Sequence, residues 1–553
     1  MKFEQLIGAG YLPLSRKAEC QKAINVYRER VESDEGIGTF TLYRSPGLAP
    51  VLQPDASKRC CRGSFELNGV LVMAIDDMVY FITAGYVIDE TYGPIADNGK
   101  PVVMAYSRTT LMIVSAGVLY RINLGILTAP VTTFTVCDIA FIDNYFVALA
   151  DNPPAIPGAT HSSFQFYFSD DDGATWPAGN VQTAEASANA FMSLIVHQQA
   201  LYMYGTKISQ VFLVGTNANA PFVPQQSAVI PFGTAAPRSL AQIGLYRYWL
   251  ESDKDGCCMV YRAQAYSSER ISDHALENAL RAYDKTCSIN DAIGMTYKLN
   301  GHEFYRITFP MADATWELNI TVMMATGKPE WVQIGWWDFQ HGQYHRHRAN
   351  TIVAAFSRIV VGDFENGWIY EMAPENYTDY GFPLRWERQC PHILEENKQV
   401  IYDRIEIGAE TGVGLESPLY LNNYSMDQAT FAAALATQVG LATVTAAQAL
   451  VLQAIYDGLP YVPLNPYPDP VVMTGLGFFS WGTDPTIRLQ YSDDGAKSFN
   501  QELARSLGRA GEDVQVAWDR LGAGRDRVFH IAGDDPCKLA LTTAWLDAQA
   551  LSS

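Results

Sequence analysis

Residues 487–499 read IRLQYSDDGAKSF, and this stretch predicts the kind of fold that the chain adopts. Apolar and polar residues alternate in it with the period of a half-buried β-strand, and the Asp-Asp-Gly step is a strong turn signal. A related stretch, FYFSDDDGATW, lies far upstream at residues 166–176. Two such hairpins in distant parts of the chain indicate a protein built from small antiparallel sheets.

The upstream hairpin matches the Asp-box motif, S-x-D-x-G-x-T-W, over residues 169–176. In this motif the Ser and Asp side chains satisfy backbone groups of the turn, Gly supplies an unusual φ, and Trp packs under the hairpin. The downstream copy is imperfect, because its Gly directly follows the Asp and Phe replaces the Trp. The predicted structural residues of the two hairpins are Ser169, Asp171, Gly173, Trp176, Ser492, Asp494, Gly495 and Phe499.

The composition limits the possible functions. The chain has 553 residues and a formal net charge of −20, which argues against a general nucleic-acid binder with a basic face. The charge is compatible with a conduit for DNA, because like charge repels phosphate. The nine Cys form no CxxC motif and are expected to be reduced thiols of a protein assembled in a cytoplasm. We expect no signal peptide and no transmembrane helix, since no sufficiently long apolar run occurs.

From about residue 65 onward, strand–turn–strand units return at intervals of about 30–55 residues, the length of a four-stranded blade. This spacing predicts a β-propeller with six or seven blades. A strand from about residues 40–55 could close the ring by completing the last blade near residue 372. One helix is predicted at residues 272–283, with Ser272 as its N-cap.

The regular strand–turn–strand pattern of the sequence ends after about residue 375. Residues 376–426 and 458–553 contain further alternating strands and predict a β-sandwich-like platform domain. The Ala- and Gln-rich residues 427–457 predict one helix or a pair of helices inserted into it. The predicted organisation is therefore an N-terminal segment (1–64) that contributes strands to either domain, a propeller (65–375), and the platform with its helical insertion.

Two groups of residues carry alternative interpretations. His341, His345 and His347 could bind a transition metal, but a polar hairpin tip explains them as well, so we predict no metal site. Asp-boxes also occur in sialidases, whose chemistry needs an arginine cluster with a Tyr nucleophile. The candidate arginines, which the sequence does not group, are Arg121, Arg247, Arg262 and Arg306. A propeller glycosidase and a carbohydrate-binding receptor protein are the alternatives to a structural protein.

A series of stretches resembles the phage packaged-DNA stabilisation family. The strongest part of the series is GDFENGWIY at 362–370, YTDYGFPLR at 377–385, YDRIEI at 402–407, LQYSDDG at 489–495 and VAWDRLGAGRDRVF at 516–529. The N-terminal INVY at 24–27 and YRSPGL at 43–48 are similar to the opening of that family. The Ala-rich residues 427–457 are not part of this pattern.

The resemblance implies a virion protein of the tail of short-tailed phages, with a propeller and a platform, assembled in the host cytoplasm. It implies a ring, with six copies expected, that lies below the portal and its adaptor, retains packaged double-stranded DNA and conducts it during ejection. Tail spikes, fibres or a needle are the further expected partners. The family brings no catalytic residues and no cofactor. Arg520, Arg525 and Arg527 are the candidate ring interface, because their mixed-charge surroundings suit a salt-bridged protein contact.

Overall fold

The computed structural model describes residues 2–551 except 34, 35, 37, 151–163, 184–189, 226, 235, 253–257, 339, 340, 397, 416–419, 423–426, 458–469, 481 and 482. The chain forms two compact units. The propeller unit comprises Leu52–Thr321 and Arg346–Ile369, and the platform unit comprises Met1–Val51, Val322–His345 and Tyr370–Ser553. Residues 458–469 of the predicted platform lie outside the described residues.

The chain begins in the platform unit with short elements. They are a 3₁₀ helix Glu4–Ile7 and the strands β1 Lys22–Ile24, β2 Val26–Arg30, β3 Phe40–Arg44 and β4 Gly47–Leu52. Asn25, between β1 and β2, has a positive φ of 53°.

The propeller unit continues with five four-stranded antiparallel blades, in which each strand pairs with the next. Blade 1 contains β5 Cys61–Leu67, β6 Val70–Ile75, β7 Met78–Thr83 and β8 Val87–Tyr92. Blade 2 contains β9 Val103–Tyr106, β10 Thr110–Ser115, β11 Val118–Asn123 and β12 Ile126–Thr128, and blade 3 contains β13 Val136–Ile142, β14 Tyr145–Ala150, β15 Gln165–Ser169 and β16 Val181–Thr183. Blade 4 contains β17 Phe191–His197, β18 Ala200–Gly205, β19 Ser209–Val214 and β20 Phe222–Pro224, and blade 5 contains β21 Ala241–Ile243, β22 Tyr246–Ser252, β23 Cys258–Gln264 and β24 Ser267–Arg270.

Two further blades complete the ring of the propeller unit. The next elements are α1 His274–Thr286, β25 Ile293–Leu299, β26 His302–Phe309, β27 Ala314–Asn319, α2 Ile320–Thr326, β28 Trp331–Gln333, β29 Gly335–Asp338, β30 Gln343–Arg346, β31 Ala349–Ala355 and β32 Arg358–Asp363. Strands β25–β27 belong to blade 6, and β31 and β32 belong to blade 7. Strand β31 contacts both β25 and β5, so the ring closes at seven blades, within the predicted six or seven.

The hairpins of six blades share one kind of turn. Two residues link the strands, and both have a positive φ, at Asn68-Gly69, Ala116-Gly117, Asp143-Asn144, Gln198-Gln199, Asn300-Gly301 and Phe356-Ser357. Positive φ at both central residues defines the type I′ turn, whose twist matches that of the flanking strands. These turns explain why the hairpin period was readable in the sequence although only two of the six are Asn-Gly.

The rest of the platform unit follows blade 7 in the chain. Its elements are β33 Ile369–Ala373, β34 Thr378–Asp379, β35 Phe382–Pro383, β36 Trp386–Gln389, β37 Val400–Ala409, β38 Tyr420–Asn422, α3 Gln428–Gly440, α4 Ala446–Tyr456, α5 Pro470–Gly475, β39 Phe478–Ser480, β40 Thr486–Ser492, β41 Leu503–Ser506, β42 Val516–Asp519, β43 Ala523–Gly524, β44 Val528–Gly533 and β45 Ala540–Ala550. Strand β4 lies beside β33 in its sheet, so the predicted pairing of residues 40–55 with the chain near residue 372 is confirmed.

Two sheets enclose the core of the platform unit. One contains the strand order β28-β1-β36-β44-β40-β41, and the other has the order β2-β3-β45-β37-β42. Buried side chains from both sheets, among them Ile405, Ile487, Trp518, Phe529 and Leu541, form one hydrophobic cluster. This arrangement is a sandwich of two largely antiparallel sheets.

The helices differ from the sequence expectations in one detail. The 427–457 insertion is a pair of helices, α3 and α4, around a small core that includes Phe431 and Leu452. Helix α1 begins later than predicted, because Asp273 rather than Ser272 is its N-cap. The Asp273 carboxylate accepts a hydrogen bond from the Leu276 amide at 2.8 Å. The Ser272 hydroxyl instead donates to Glu277 at 2.7 Å.

Candidate functional site

The first Asp-box is a network of side-chain bonds within one turn of blade 3. The Ser169 hydroxyl donates to the Asp171 carboxylate at 2.7 Å and accepts the Gly173 amide at 3.1 Å. The amide and hydroxyl of Thr175 both donate to Asp171, at 3.0 and 2.5 Å. Gly173 has a φ of 76°, and Trp176 is buried in the core of blades 2 and 3. Ser169, Asp171 and Gly173 thus act inside the hairpin, and Trp176 packs it against blade 2.

A fifth residue of this box, Asp172, connects blade 3 to blade 2. Its carboxylate accepts hydrogen bonds from the hydroxyls of Thr109, at 2.7 Å, and Thr110. The Arg121 Nε donates to the Asp172 carbonyl oxygen at 3.1 Å. The hairpin therefore fixes the neighbouring blade through a residue that the motif leaves unspecified.

The second box, in the platform unit, repeats the same bonds at the same spacing. The Ser492 hydroxyl donates to Asp494 at 2.7 Å and accepts the Ala496 amide at 3.0 Å. The amide and hydroxyl of Ser498 donate to Asp494 at 3.0 and 2.6 Å. The Ser498 hydroxyl, together with that of Ser492, lowers the pKa of the Asp494 carboxyl.

This register corrects the expected role of Gly495. Ala496, with a φ of 63°, takes the position of the motif glycine, and Gly495 takes the position that Asp172 has in the first box. Phe499 takes the Trp position and packs partly buried against the platform core. The copy therefore departs from the motif by an Ala at the Gly position, not by a shifted turn.

A buried arginine ties the second box to the segment that follows it. Arg527 Nε and Nη2 donate to the two Asp493 carboxylate oxygens at 2.6 and 2.9 Å, and Nη1 donates to the Leu521 carbonyl at 2.8 Å. The guanidinium lies 4.4 and 4.2 Å from the ring centroids of Tyr402 and Tyr491. A Cβ at Gly524 would collide with the Asp493 carboxylate.

This burial removes Arg527 from the candidate ring interface. Its side chain is 1% exposed and is fully engaged inside its own unit. Arg520 and Arg525 are exposed, and the Arg520 backbone, with a φ of 60°, is held by a 2.7 Å bond from its amide to the Asp403 carbonyl. Only these two of the three predicted arginines can meet another molecule.

A second contact holds the N-terminal segment to this region of the platform unit. His392 Nδ1 is 2.6 Å from the Asp526 carboxylate, and its Nε2 is 2.7 Å from the Arg16 carbonyl oxygen. Because both ring nitrogens face acceptors, the imidazolium form is favoured. Burial lowers the pKa of His392, but the hydrogen bonds to Asp526 and Arg16 outweigh it and raise the pKa above its ordinary value.

Two more buried arginines, which the sequence analysis did not identify, bond to backbone carbonyls of the platform unit. Arg44 donates to the carbonyls of Asp535 at 2.6 Å, Cys537 and Leu384. Arg388 donates to carbonyls in the 3₁₀ helix and to those of Ala9 and Lys22, and burial lowers its pKa to about 10. Arg388 lies in the largely polar strand WERQ and Arg44 ends the strand FTLYR, so neither strand pattern marked its arginine as buried.

The three histidines do not share one site: His341 and His345 both face the Asp338 carboxylate, the latter at 3.7 Å, whereas His347 lies elsewhere. His341 bonds to Asp338, and His345 stacks on Trp336. His347 is buried beside Arg306, and burial together with the Arg306 charge lowers its pKa well below the ordinary value. Among the residues that the structure describes, no group of three or more His, Cys, Asp or Glu is placed to hold a metal ion.

The four arginines considered for a sialidase site also stay apart. Arg121 serves the first Asp-box, Arg262 pairs with Glu269 and Arg306 pairs with Glu317. Arg247 stacks on Tyr202. Each therefore has a place in its own blade or against the next one, and the described residues contain no shared arginine cluster.

A cavity of about 740 Å³ lies inside the ring of blades. Residues of blades 2, 3, 4, 6 and 7 and of the segments that connect the blades line it, including the charged Lys100, Arg238, Asp291 and Arg346. Its volume is in the range of small-molecule sites. Duplex DNA does not fit such a space, so the axis of a single propeller is not a DNA channel.

The sequence profile of a phage stabilisation family, described as bacteriophage P22 Gp10, β-propeller, matches residues 25–377. The chain belongs to this family. The match covers more than half of the chain and agrees with the seven-bladed ring. The protein is thus a phage virion protein of the P22 Gp10-like, packaged-DNA-stabilising class, which is a structural class. No helix in the described part of the chain is long and apolar enough to span a membrane.

Three solved structures with distant similarity have TM-scores below 0.5. The extracellular domain of the one-component system BT4673 from B. thetaiotaomicron has a TM-score of 0.38 at 9% identity, with 61% of this chain and 41% of that chain covered. BamB from Moraxella catarrhalis has a TM-score of 0.35 at 10% identity, with 59% and 99% covered. The N-terminal domain of Nup159 has a TM-score of 0.36 at 10% identity, with 64% and 98% covered. No curated protein matches the sequence.

Proposed function

We propose that this chain forms the ring-shaped hub, or nozzle, of a short phage tail, which retains packaged DNA and conducts it during genome ejection. The match of residues 25–377 to the P22 Gp10 propeller family carries this proposal. A homo-oligomeric ring, with six copies expected, binds the head-to-tail adaptor on one side and a tail spike, fibre or needle on the other.

The size of the propeller cavity supports a channel between copies of the chain. Because the space inside one ring of blades holds only a small molecule, a path for duplex DNA has to run along the common axis of several copies. The net charge of −20 suits such a path, since acidic walls bind phosphate weakly and let it slide.

Arg520 and Arg525 are the proposed ring contacts. Both are exposed in the segment after β42, beside the exposed acidic residue Asp519. Mixed charge on a surface suits a contact in which each copy supplies both signs. Their neighbour Arg527 is buried, holds this segment through its bonds to Asp493 and the Leu521 carbonyl, and does not take part in the contact.

Native mass spectrometry and negative-stain electron microscopy of the purified chain test the proposal. The wild type should form a closed ring. The double variant Arg520→Glu/Arg525→Glu should remain monomeric with an unchanged far-UV spectrum. Arg59→Glu/Arg108→Glu is the matched control, because it changes the net charge equally at two exposed arginines of the propeller unit.

Three outcomes separate the parts of the proposal. A wild-type monomer at every concentration, with or without glycan binding, refutes the hub. Normal rings from the Arg520/Arg525 variant refute only the interface. Loss of rings in the Arg59/Arg108 control as well shows that net charge, not these two residues, governs assembly.

A further inference from the structure

Arg247 is a buried cation between blades 4 and 5. Arg247 and Trp249 project from the same face of β22, since they are two residues apart in a strand. This face packs on Tyr202 and Tyr204 of β18 in blade 4. The Arg247 side chain is fully buried, and its guanidinium lies 3.4 Å from the centroid of the Tyr202 ring.

Arg247 differs from the other arginines of its kind. Five arginines in the described chain are less than 2% exposed: Arg62, Arg247, Arg306, Arg388 and Arg527. Arg62, Arg306 and Arg527 have carboxylate partners, and Arg388 donates to four carbonyl oxygens and a side-chain amide oxygen. Arg247 has one acceptor, the Ala265 carbonyl on Nη2, while its buried Nε and Nη1 have none among the described residues.

Two further buried polar groups of blade 4 are also unsatisfied. The hydroxyl of Tyr204, two residues along the same strand, is buried without a hydrogen-bond partner in the described chain. His197 bonds through Nδ1 to Gln242, the residue paired with Arg247 in the sheet, and its buried Nε2 has no partner there either. Unsatisfied polar groups therefore lie on both blades, and the Arg247 charge is near enough to the Tyr204 hydroxyl to oppose the raising of its pKa by burial.

The Tyr202 ring cannot replace a counter-charge. It covers one face of the guanidinium, whereas the N–H groups point outward from its edge. A buried charge without a partner is strongly unfavourable, and a water molecule accepts hydrogen bonds without neutralising the charge. A small anion accepts the hydrogen bonds and also neutralises the charge, and it is attracted by the positive potential of Arg247.

We propose that the space between blades 4 and 5 binds a small monovalent inorganic anion, of the size of chloride, through the Arg247 N–H groups and the Tyr204 hydroxyl. The anion joins one blade to the next and makes the stability of the propeller unit depend on the anion supplied. This inference does not depend on the proposed function in the tail.

Thermal unfolding of the full chain in sodium chloride and in sodium gluconate, at equal ionic strength, tests the site. Gluconate is the reference because it is much larger than chloride, whereas the Arg247 side chain is fully buried. The Tm of the propeller unit should be about 3 °C higher in chloride, once chloride is roughly ten times its dissociation constant. Arg247→Met should lose this difference, and Arg262→Met, in the same blade, should keep it.

A bromide-soaked crystal provides the second measurement, which does not require a folded variant. Anomalous scattering should place bromide within hydrogen-bonding distance of an Arg247 nitrogen. Tyr204→Phe keeps the ring and removes one donor, so the half-saturating chloride concentration should rise about tenfold. An equal chloride effect in wild type and Arg247→Met, or a water molecule without bromide signal beside Arg247, would overturn the proposal.

Discussion

Replacing Arg527 by Met should destabilise the platform unit without removing any exposed charge. Arg527 makes two bonds to Asp493 and one to the Leu521 carbonyl, and it lies between two tyrosine rings. Removing one partner of a buried ion pair costs about 3–5 kcal/mol. The Asp493 side chain is 40% exposed and can regain water, so the lower end of that range, about 3 kcal/mol, applies.

Hydrogen-exchange mass spectrometry can measure this loss in one unit. A whole-chain denaturation curve would mix two units, so it is not a single two-state transition. Peptides that cover β40 and β44 report the opening of the platform unit. A loss of about 3 kcal/mol predicts that their slowest amides exchange roughly 100-fold faster in Arg527→Met.

Arg525→Met is the matched control, because it removes an exposed arginine two residues away. Its effect should stay within about 0.5 kcal/mol. The Asp493→Asn change should couple to Arg527→Met, so that the double variant loses less than the sum of the two single variants. Equal exchange rates in Arg527→Met and Arg525→Met would show that the buried pair does not stabilise the unit.

Three other predictions concern single residues. Gly173→Ala should lower the stability of the propeller unit by at least about 1 kcal/mol in chemical denaturation, because its φ is positive and its Cβ would lie 2.6 Å from Met112 Sδ, whereas Ala496→Gly should not destabilise the platform unit. Asp273→Ala should remove the cap of α1 and cost about 1 kcal/mol, or about 2 °C in Tm by calorimetry. His392→Gln should destabilise the platform unit most below about pH 6.5. The raised folded-state pKa of His392 gives a stabilising free energy that is complete below this pH and is lost as the pH rises through that pKa. Urea titrations from pH 5 to 9 check this, and a pH-independent loss of stability would contradict it.

The propeller could be predicted because each of its hairpins is specified by residues that are close together in the sequence. Alternation over six residues and a two-residue turn specify a hairpin, and seven repeats of that unit specify a ring. The exact count and the Ala496 register were not predictable. Ala at a positive φ leaves no compositional signal, and Phe356-Ser357 is not a turn sequence that propensity would favour.

The candidate sites were harder to predict, because they depend on pairs that are distant in sequence. The Ser and Asp of both Asp-boxes bond within a few residues of each other and were identified, whereas the glycine position was identified only in the first box. Asp172 and Asp493, which connect the boxes to their surroundings, occupy positions that the motif leaves open. Arg527 looked like a surface charge among other charged residues, and only the fold shows that Asp493, 34 residues away, neutralises it.

The two units thus achieve a unique structure by different means. In the propeller unit most strand pairs are neighbours in sequence, so turn chemistry alone sets their register. In the platform unit β45 pairs with β3, nearly 500 residues earlier, and no turn can specify such a pair. Arg44 and Arg388 lie at these junctions and donate to carbonyls as far as 493 and 383 residues away. A buried guanidinium with several fixed acceptors is costly in any other arrangement, so these arginines favour the one register in which the Arg44 Nη atoms and the Arg388 guanidinium reach these carbonyls.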